Sequence, residues 1–446
     1  MRYRDGVTTS SALSTSPGIF PTPQGAFDFL LSPARNPLNL LTKSFYRPMT
    51  RNGFVALAVC LSYLPYIRFV FTSERSPGLS ALQGLPQIVL IVMTVAAMVI
   101  FSVKLQPRAI FALGAAMSMS LSQLIGLVNS PATQKNLIMP AIFPLLMGTG
   151  VFISALAAKT HPALRVKYIA IITKCVLGLM TFECLSRLLS SPFINTQLNL
   201  DKYGVATIDD DWFYKFKQSI LYSDGNSVGI ALLCLIAILL IYRRAFRDRH
   251  LILAYFLILA TFSRASIIAA VVQYTIYRLW RWRRWIVGAL AFTSPFILYR
   301  LILWYANTDS QVLLSVDGSF LTKLLILQRM TEIYSSLDTV QRFFGIGSGN
   351  TEYLAGMAAH NILVVLVLEL GIIGSVLLAV YFWIFTRKSP STVYLLIAPI
   401  LVNGFSLFLT TVPFLYVTLA ILTLEGTPGQ LGSSAASKVD RNGVVR

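Results

Sequence analysis

Two residues in this chain have the chemistry and the setting for catalysis. The first is His360, which with Asn361 stands at the front of a membrane-length apolar run, AAHNILVVLVLELGIIGSVLLAVYFWIF, Ala358 to Phe385. The chain has only three histidines. Histidine is the side chain best placed to accept a proton near neutral pH, so His360 is a candidate general base. The second is Arg264, in the turn TFSRAS between two short apolar runs. A charge at membrane depth is costly unless it faces an aqueous cavity or a partner, which marks it as functional. A guanidinium donates two parallel hydrogen bonds to a phosphate or pyrophosphate. Three further arginines, Arg68, Arg187 and Arg300, fall near the outer ends of apolar runs. Either they snorkel to lipid headgroups, or they line an outward-facing cationic vestibule for an anionic, lipid-linked substrate.

The run behind His360 carries Glu369, Gly371 and Gly374. On a continuous helix, Gly371 returns to within about 20° of His360, and Gly374 lies about 40° to the other side. Small residues on that face predict close packing by another helix. Glu369 points to the opposite face and reads as a structural hydrogen-bonding or ion-pairing residue.

The elements that position these residues are apolar runs. The chain of 446 residues is 55% hydrophobic and 12% charged, about half the charge of a soluble protein. Twelve spans are expected, at about 53–72, 86–103, 109–128, 137–157, 166–189, 225–242, 250–263, 265–280, 285–304, 360–385, 391–408 and 411–425. The fold class is an all-α polytopic integral membrane protein, with extracytoplasmic loops at about 190–224 and 305–359. A polar tail of 50 residues precedes the membrane domain 51–425, and a second tail covers 426–446. Both tails read as disordered. Every second loop is basic, among them Lys104/Arg108, Lys159/Arg165/Lys167, Arg243/Arg244/Arg247/Arg249 and Arg387/Lys388. The positive-inside rule then puts both termini in the cytoplasm. The same distribution accounts for the net charge of +19 without nucleic acid. Spans seven and eight share only about 30 residues, about 22 Å per pass against an apolar core of about 30 Å. The TFSRAS turn should therefore lie below the outer surface.

Other features read more plainly. Cys60, Cys175, Cys184 and Cys234 all fall in apolar runs and read as buried, inert thiols, without metal spacing or a disulfide framework. Asp209, Asp210 and Asp211 read as a solvated loop, followed by WFYKFKQSILY, which fits an amphipathic surface helix. GIGSGN, Gly345 to Asn350, has the glycines to cradle phosphate with backbone amides. No predicted strand precedes it, so a dinucleotide site is excluded.

In order along the chain, four segments resemble the O-antigen ligase and Wzy-type polysaccharide polymerase superfamily. His360-Asn361, nine residues, Gly371, two residues, Gly374 is similar to its H-N-x9-G-x-x-G pattern. TFSRAS resembles its T-x-S-R-G-A segment, with Ala265-Ser266 for Gly-Ala and Ile268 where ligases often have leucine. FFGIGSGN, Phe343 to Asn350, is similar to its glycine-rich segment. SDGNSVG, Ser223 to Gly229, is similar to its D-P-N segment, with Gly225 in place of proline. The resemblance covers about residues 200–385.

The resemblance implies a multi-pass enzyme of the bacterial cytoplasmic (inner) membrane acting on undecaprenyl-pyrophosphate-linked glycans at the outer face. Arg264, with Arg329 or Lys323 filling a second basic position, would hold the pyrophosphate as it leaves. His360 would orient or deprotonate the acceptor hydroxyl, and Asn361 and Asn226 would shape the site. No metal or cofactor is implied. Membrane lipid is a partner by location, and a chain-length regulator and a flippase are the partners that family members work beside. A polymerase extending lipid-linked repeat units is the leading reading, for exopolysaccharide or O-antigen. A ligase delivering the chain to lipid A-core shares the donor site. A lipid-linked-oligosaccharide transporter is the reading from another class. It expects midplane polar residues in two related halves, and here only Lys174 and Glu369 lie at that depth.

Overall fold

The structure, a computed structural model, describes residues 51–64, 85–132, 135–190, 219, 221–222, 225–307, 318–355, 361–408 and 410–424, and a few side chains within those helices lie outside the description. All of them belong to one compact unit, Met49–Arg446. Among the described residues every regular element is helical. The helices are α1 (51–63), α2 (Leu85–Ile100), α3 (Pro107–Asn129), α4 (Ile138–Ala158) and α5 (Pro162–Ser190). There follow α6 (Gly225–Ile241), α7 (Asp248–Leu259), α8 (Arg264–Arg278), α9 (Arg283–Ala306) and α10 (Gly318–Ser336). Short α11 (Thr339–Phe344) and α12 (Thr351–Ala355) lead to α13 (Gly371–Thr386), α14 (Pro390–Gly404) and α15 (Pro413–Leu422). Three helices, α3, α4 and α5, are long and apolar enough to cross a membrane, and α2, α6, α13, α14 and α15 are shorter apolar helices.

Sequence composition decides which helices lie inside. In α6 every residue but Asn226 is buried, and α15 is buried from end to end. Helices apolar all round belong in the interior. These two form the hub, and polar side chains tie the outer helices to it. The Tyr63 hydroxyl lies 3.1 Å from that of Thr418, and Gln273 of α8 donates to the carbonyls of Leu233 (3.0 Å) and Leu395 (2.6 Å). Leu395 sits in a π-helical turn, Val393–Ile397. The outer helices show large apolar side chains outward: Val99, Phe111, Phe182, Ile252 and Phe292 are all exposed. Apolar surface on that scale suits contact with lipid tails.

The helix behind His360 is not continuous. A stub, Ile362–Val364, runs into a π-helical turn, Val365–Glu369, and α13 starts only at Gly371, whose φ is +63°. The rotation that would align Gly371 with His360 therefore does not apply. What lies against Gly371 is a loop. A Cβ there would meet the backbone nitrogen of Gly345 and, at 2.7 Å, the carbonyl oxygen of Phe343. Gly374 does face a helix, since its Cβ position lies 3.6 Å from Met119 and Ser122 of α3.

The cysteines are also more varied than their apolar runs suggest. Cys184 and Cys234 are buried, Cys60 is half-buried and Cys175 is exposed. An apolar run has an outer face as well as an inner one, and Cys175 is on the outer face of α5.

Candidate functional site

The turn before α8 is held in an unusual backbone conformation. Phe262 has φ of +53°, which costs about 1–2 kcal/mol for a residue with a side chain. The Thr261 hydroxyl donates to Ile258 O (2.7 Å) and accepts from the Ser263 amide (3.2 Å), so the neighbours fix the bend. Ser263 then N-caps α8 by accepting from the Ser266 amide. Arg264 is the first residue of α8 and is exposed. Strain at Phe262, two residues before an exposed arginine, is the pattern found where backbone is shaped for function.

A chain of polar side chains anchors that turn. Ser263 Oγ donates to Asn226 Oδ1 (2.8 Å) near the start of α6. Ser263 Oγ also lies 2.8 Å from Ser266 Oγ, and Ser266 Oγ donates to Asn403 Oδ1 of α14 (2.8 Å). Asn403 Nδ2 closes the chain on Leu407 O (3.1 Å). Ser263, Ser266 and Asn403 are buried, and a buried network of this kind rigidifies when its members are satisfied. Gly229 of α6 makes room for it, because a Cβ there would run into the Ser266 hydroxyl.

The same end of α14 reaches the histidine segment. Asn361 Nδ2 donates to Phe405 O (3.0 Å), two residues beyond Asn403, and Asn361 Oδ1 accepts from the Leu363 amide (2.8 Å). Asn361 is thus a buried N-cap of the stub. Gly404 packs against it, its Cβ position 3.1 Å from Ile362. Asn226, Arg264 and Asn361, which lie far apart in the sequence, are gathered around one end of α14. Sequence reasoning did not single out Asn403, the residue that joins them; a lone asparagine in an apolar run is the only signal.

The remaining candidates distribute differently. His360 and Arg68 lie outside the described residues. Lys323 lies on α10, and its side chain is outside the description. Arg329, also on α10, donates to Ala355 O (2.7 Å) at the end of α12, five residues before His360. Arg300 is exposed on α9, with its guanidinium 5.4 Å from the Phe296 ring. Arg187 departs from the expected vestibule. It is fully buried and pairs with Glu183 across one turn of α5, at 3.2 Å with 0% exposure on both sides. Ser219 Oγ adds a hydrogen bond to the same carboxylate (2.7 Å). The physical reason is the i, i+4 spacing of Glu183 and Arg187, which supplies a carboxylate within reach and removes the need to snorkel. The Asp209–Asp211 run lies outside the described residues, as does most of the stretch after it.

The glycine-rich loop does not offer its amides to a substrate. The Gly345 amide donates to Gln341 O (2.7 Å), Ile346 to Leu368 O (2.9 Å), Gly347 to Glu369 O (3.1 Å) and Asn350 to Gly347 O (3.2 Å). Ser348 N–H donates to Gln123 Oε1 (2.8 Å). The amides of Gly349 and Thr351 and the Ser348 hydroxyl point at the Glu369 carboxylate. Every amide from 345 to 351 is engaged, as buried backbone requires. Positive φ at Gly345, Gly347 and Gly349 turns alternate amides inward as in a nest, and the acceptor inside it is the protein's own Glu369 side chain. The carboxylate is buried and has the role of an acceptor in the frame. The loop passes between Gly126 of α3, whose Cβ would meet Gly345 O and Phe344 O at 2.9 Å, and Gly371.

Among the described residues no group of three His, Cys, Asp or Glu could hold a metal ion. Comparison with known protein families, curated proteins and solved structures gives no match.

Proposed function

We propose that the protein is a metal-independent glycosyltransferase of the bacterial cytoplasmic membrane, a Wzy-type polymerase using a polyprenyl-pyrophosphate-linked donor. In this reading the helices form about twelve spans with both termini in the cytoplasm, and the α7–α8 turn opens outward. The observation that carries it is the polar chain Asn226–Ser263–Ser266–Asn403, which fixes an exposed arginine at a helix start and joins it through α14 to Asn361, the neighbour of His360 in the sequence. The first turn of a helix favours phosphate through its free amides and its dipole, and Arg264 adds a planar fork of donors. A preorganised cation stabilises charge as it develops on a leaving group.

The reaction follows from these groups. The acceptor hydroxyl oxygen attacks the anomeric carbon of the donor sugar. The bond from that carbon to the phosphate oxygen breaks, and its electron pair leaves on undecaprenyl pyrophosphate. Arg264, with Arg329 or Lys323, takes up the charge on the departing pyrophosphate. His360 accepts the hydroxyl proton. Asn361 and Asn226 hold the two segments in register.

The test is glycan analysis of a deletion strain complemented with wild type, His360→Ala, Arg264→Ala or Arg264→Lys. Products are separated by size and assigned to lipid A or to the lipid carrier. Loss of long polymer with single repeat units remaining supports the polymerase. Long polymer that stays on the carrier and never reaches lipid A shows a ligase. Full-length product at wild-type levels from both alanine variants refutes the site.

A further inference from the structure

A second site lies at the opposite end of the bundle. Gly126 of α3 touches the glycine loop beside the start of α13, while Arg108, at the start of α3, donates through Nε to Ile384 O (2.7 Å) and through Nη2 to Phe385 O near the end of α13. The two helices are antiparallel. Arg108 and Gly126 are 18 residues apart, about 27 Å along the helix, close to the hydrocarbon thickness of about 30 Å.

At the Arg108 end, a cavity of about 90 Å³, open to solvent, sits between the start of α3 and the ends of α4, α13 and α15. Lys104, Arg108 and Lys159 stand around it, and among the described residues no acidic residue lines it. Arg108 is fixed by its two carbonyls, and Lys104 and Lys159 are exposed. Arg387 adds its positive field to that of Arg108. Gln106, Ser154 and Thr423 also line it, and its accessible apolar wall is Ala155, Ala158 and Leu424. Cations above an apolar trough match a molecule with an anionic head and a hydrocarbon tail. Basic pockets between helices at the cytoplasmic surface bind such headgroups.

We propose that this cavity binds an anionic phospholipid, with its phosphodiester between Lys104 and Lys159 and one acyl chain along Ala155, Ala158 and Leu424. The proposal rests on the chain standing in a bilayer and not on its glycan chemistry. Inorganic phosphate shares the headgroup chemistry and lacks the tail.

The experiment uses the purified full chain in neutral detergent, titrated with phosphatidylglycerol, phosphatidylcholine or inorganic phosphate. Bound lipid is counted by native mass spectrometry and affinity is read from thermal unfolding. Phosphatidylglycerol should bind in preference to phosphatidylcholine. The Lys104→Gln/Lys159→Gln double variant should bind it about thirtyfold more weakly, at about five- to sixfold per cation. Ala155→Trp, which fills the apolar wall and leaves the cations, should lose the lipid and keep any weak phosphate effect. Equal binding of both lipids, or unchanged affinity in the double variant, overturns the site. Protection by inorganic phosphate equal to that by lipid, with no effect of Ala155→Trp, overturns the lipid assignment in favour of a free anion. No arm reads glycan assembly, so failure here is distinct from failure of the polymerase reading.

Discussion

Replacing Gly371 and Gly374 separately with alanine tests the broken helix behind His360. If the segment were one smooth helix, both glycines would only admit a neighbouring helix, and both substitutions would cost alike. The structure separates them. At Gly371 the alanine must hold φ at +63°, which costs about 1–2 kcal/mol. Its Cβ must also displace backbone, the Gly345 nitrogen and the Phe343 oxygen, and overpacking of that kind costs about 1–3 kcal/mol. The total is about 2–5 kcal/mol, a large share of a typical folding free energy of about 5–15 kcal/mol. At Gly374 the nearest atoms are the Leu370 Cβ at 3.0 Å and side-chain atoms of α3 at 3.6 Å. A methyl there needs Leu370 to give by a few tenths of an ångström, which offsets the gain of about 1 kcal/mol in helix propensity from alanine. The net change should lie within about 1 kcal/mol of zero. The assay is thermal unfolding of the purified chain in detergent, followed by the loss of its monodisperse peak. Gly371→Ala should unfold far below wild type, and Gly374→Ala close to it. Similar losses in both would refute the loop-in-break geometry and restore the continuous helix.

Four further outcomes follow from the same contacts. Glu183→Gln leaves the Arg187 guanidinium buried at 0% exposure without its carboxylate and should cost about 3–5 kcal/mol; the Glu183→Leu/Arg187→Met double variant should recover most of that stability in the same unfolding assay. Glu369→Gln turns an amide donor toward the Gly349 and Thr351 amides and should cost about 1–3 kcal/mol. Asn403→Ala removes the acceptor of the Ser266 hydroxyl and should lower long-polymer yield in the complementation assay with protein level near normal, whereas unchanged yield would remove Asn403 from the positioning network. Gly229→Ala drives a methyl into the Ser266 hydroxyl and should reduce yield in the same way.

Many helix positions were legible in the sequence because they are set by one local quantity, the length of an apolar run; α10 (Gly318–Ser336) was not, since it lies within the expected loop 305–359 and is not an apolar run of that length. The expected run 109–128 corresponds to Pro107–Asn129, and the two short passes correspond to Asp248–Leu259 and Arg264–Arg278. Apolar length carries no information about the path of the backbone inside a run. VLVLELGIIG keeps its apolar character across the π turn and the reversal of φ at Gly371, so wheel geometry fails where the fold matters most. The loop from Gly345 to Thr351 explains the break, since its amides need acceptors and Leu368, Glu369 and the Glu369 side chain provide them. That match joins two segments about twenty residues apart, and each looks incomplete alone: a glycine run without an anion, and a carboxylate in an apolar helix without a donor. Read together, the orphan donors and the orphan acceptor predict each other. The same reasoning applies to Asn403, whose role depends on Ser266 some 137 positions away. A polar residue in an apolar run therefore poses a question of pairing before one of chemistry. Glu369 and Arg187 find their partners in the buried interior, while Arg264 lies exposed at a helix start, the position from which we propose it meets a phosphate.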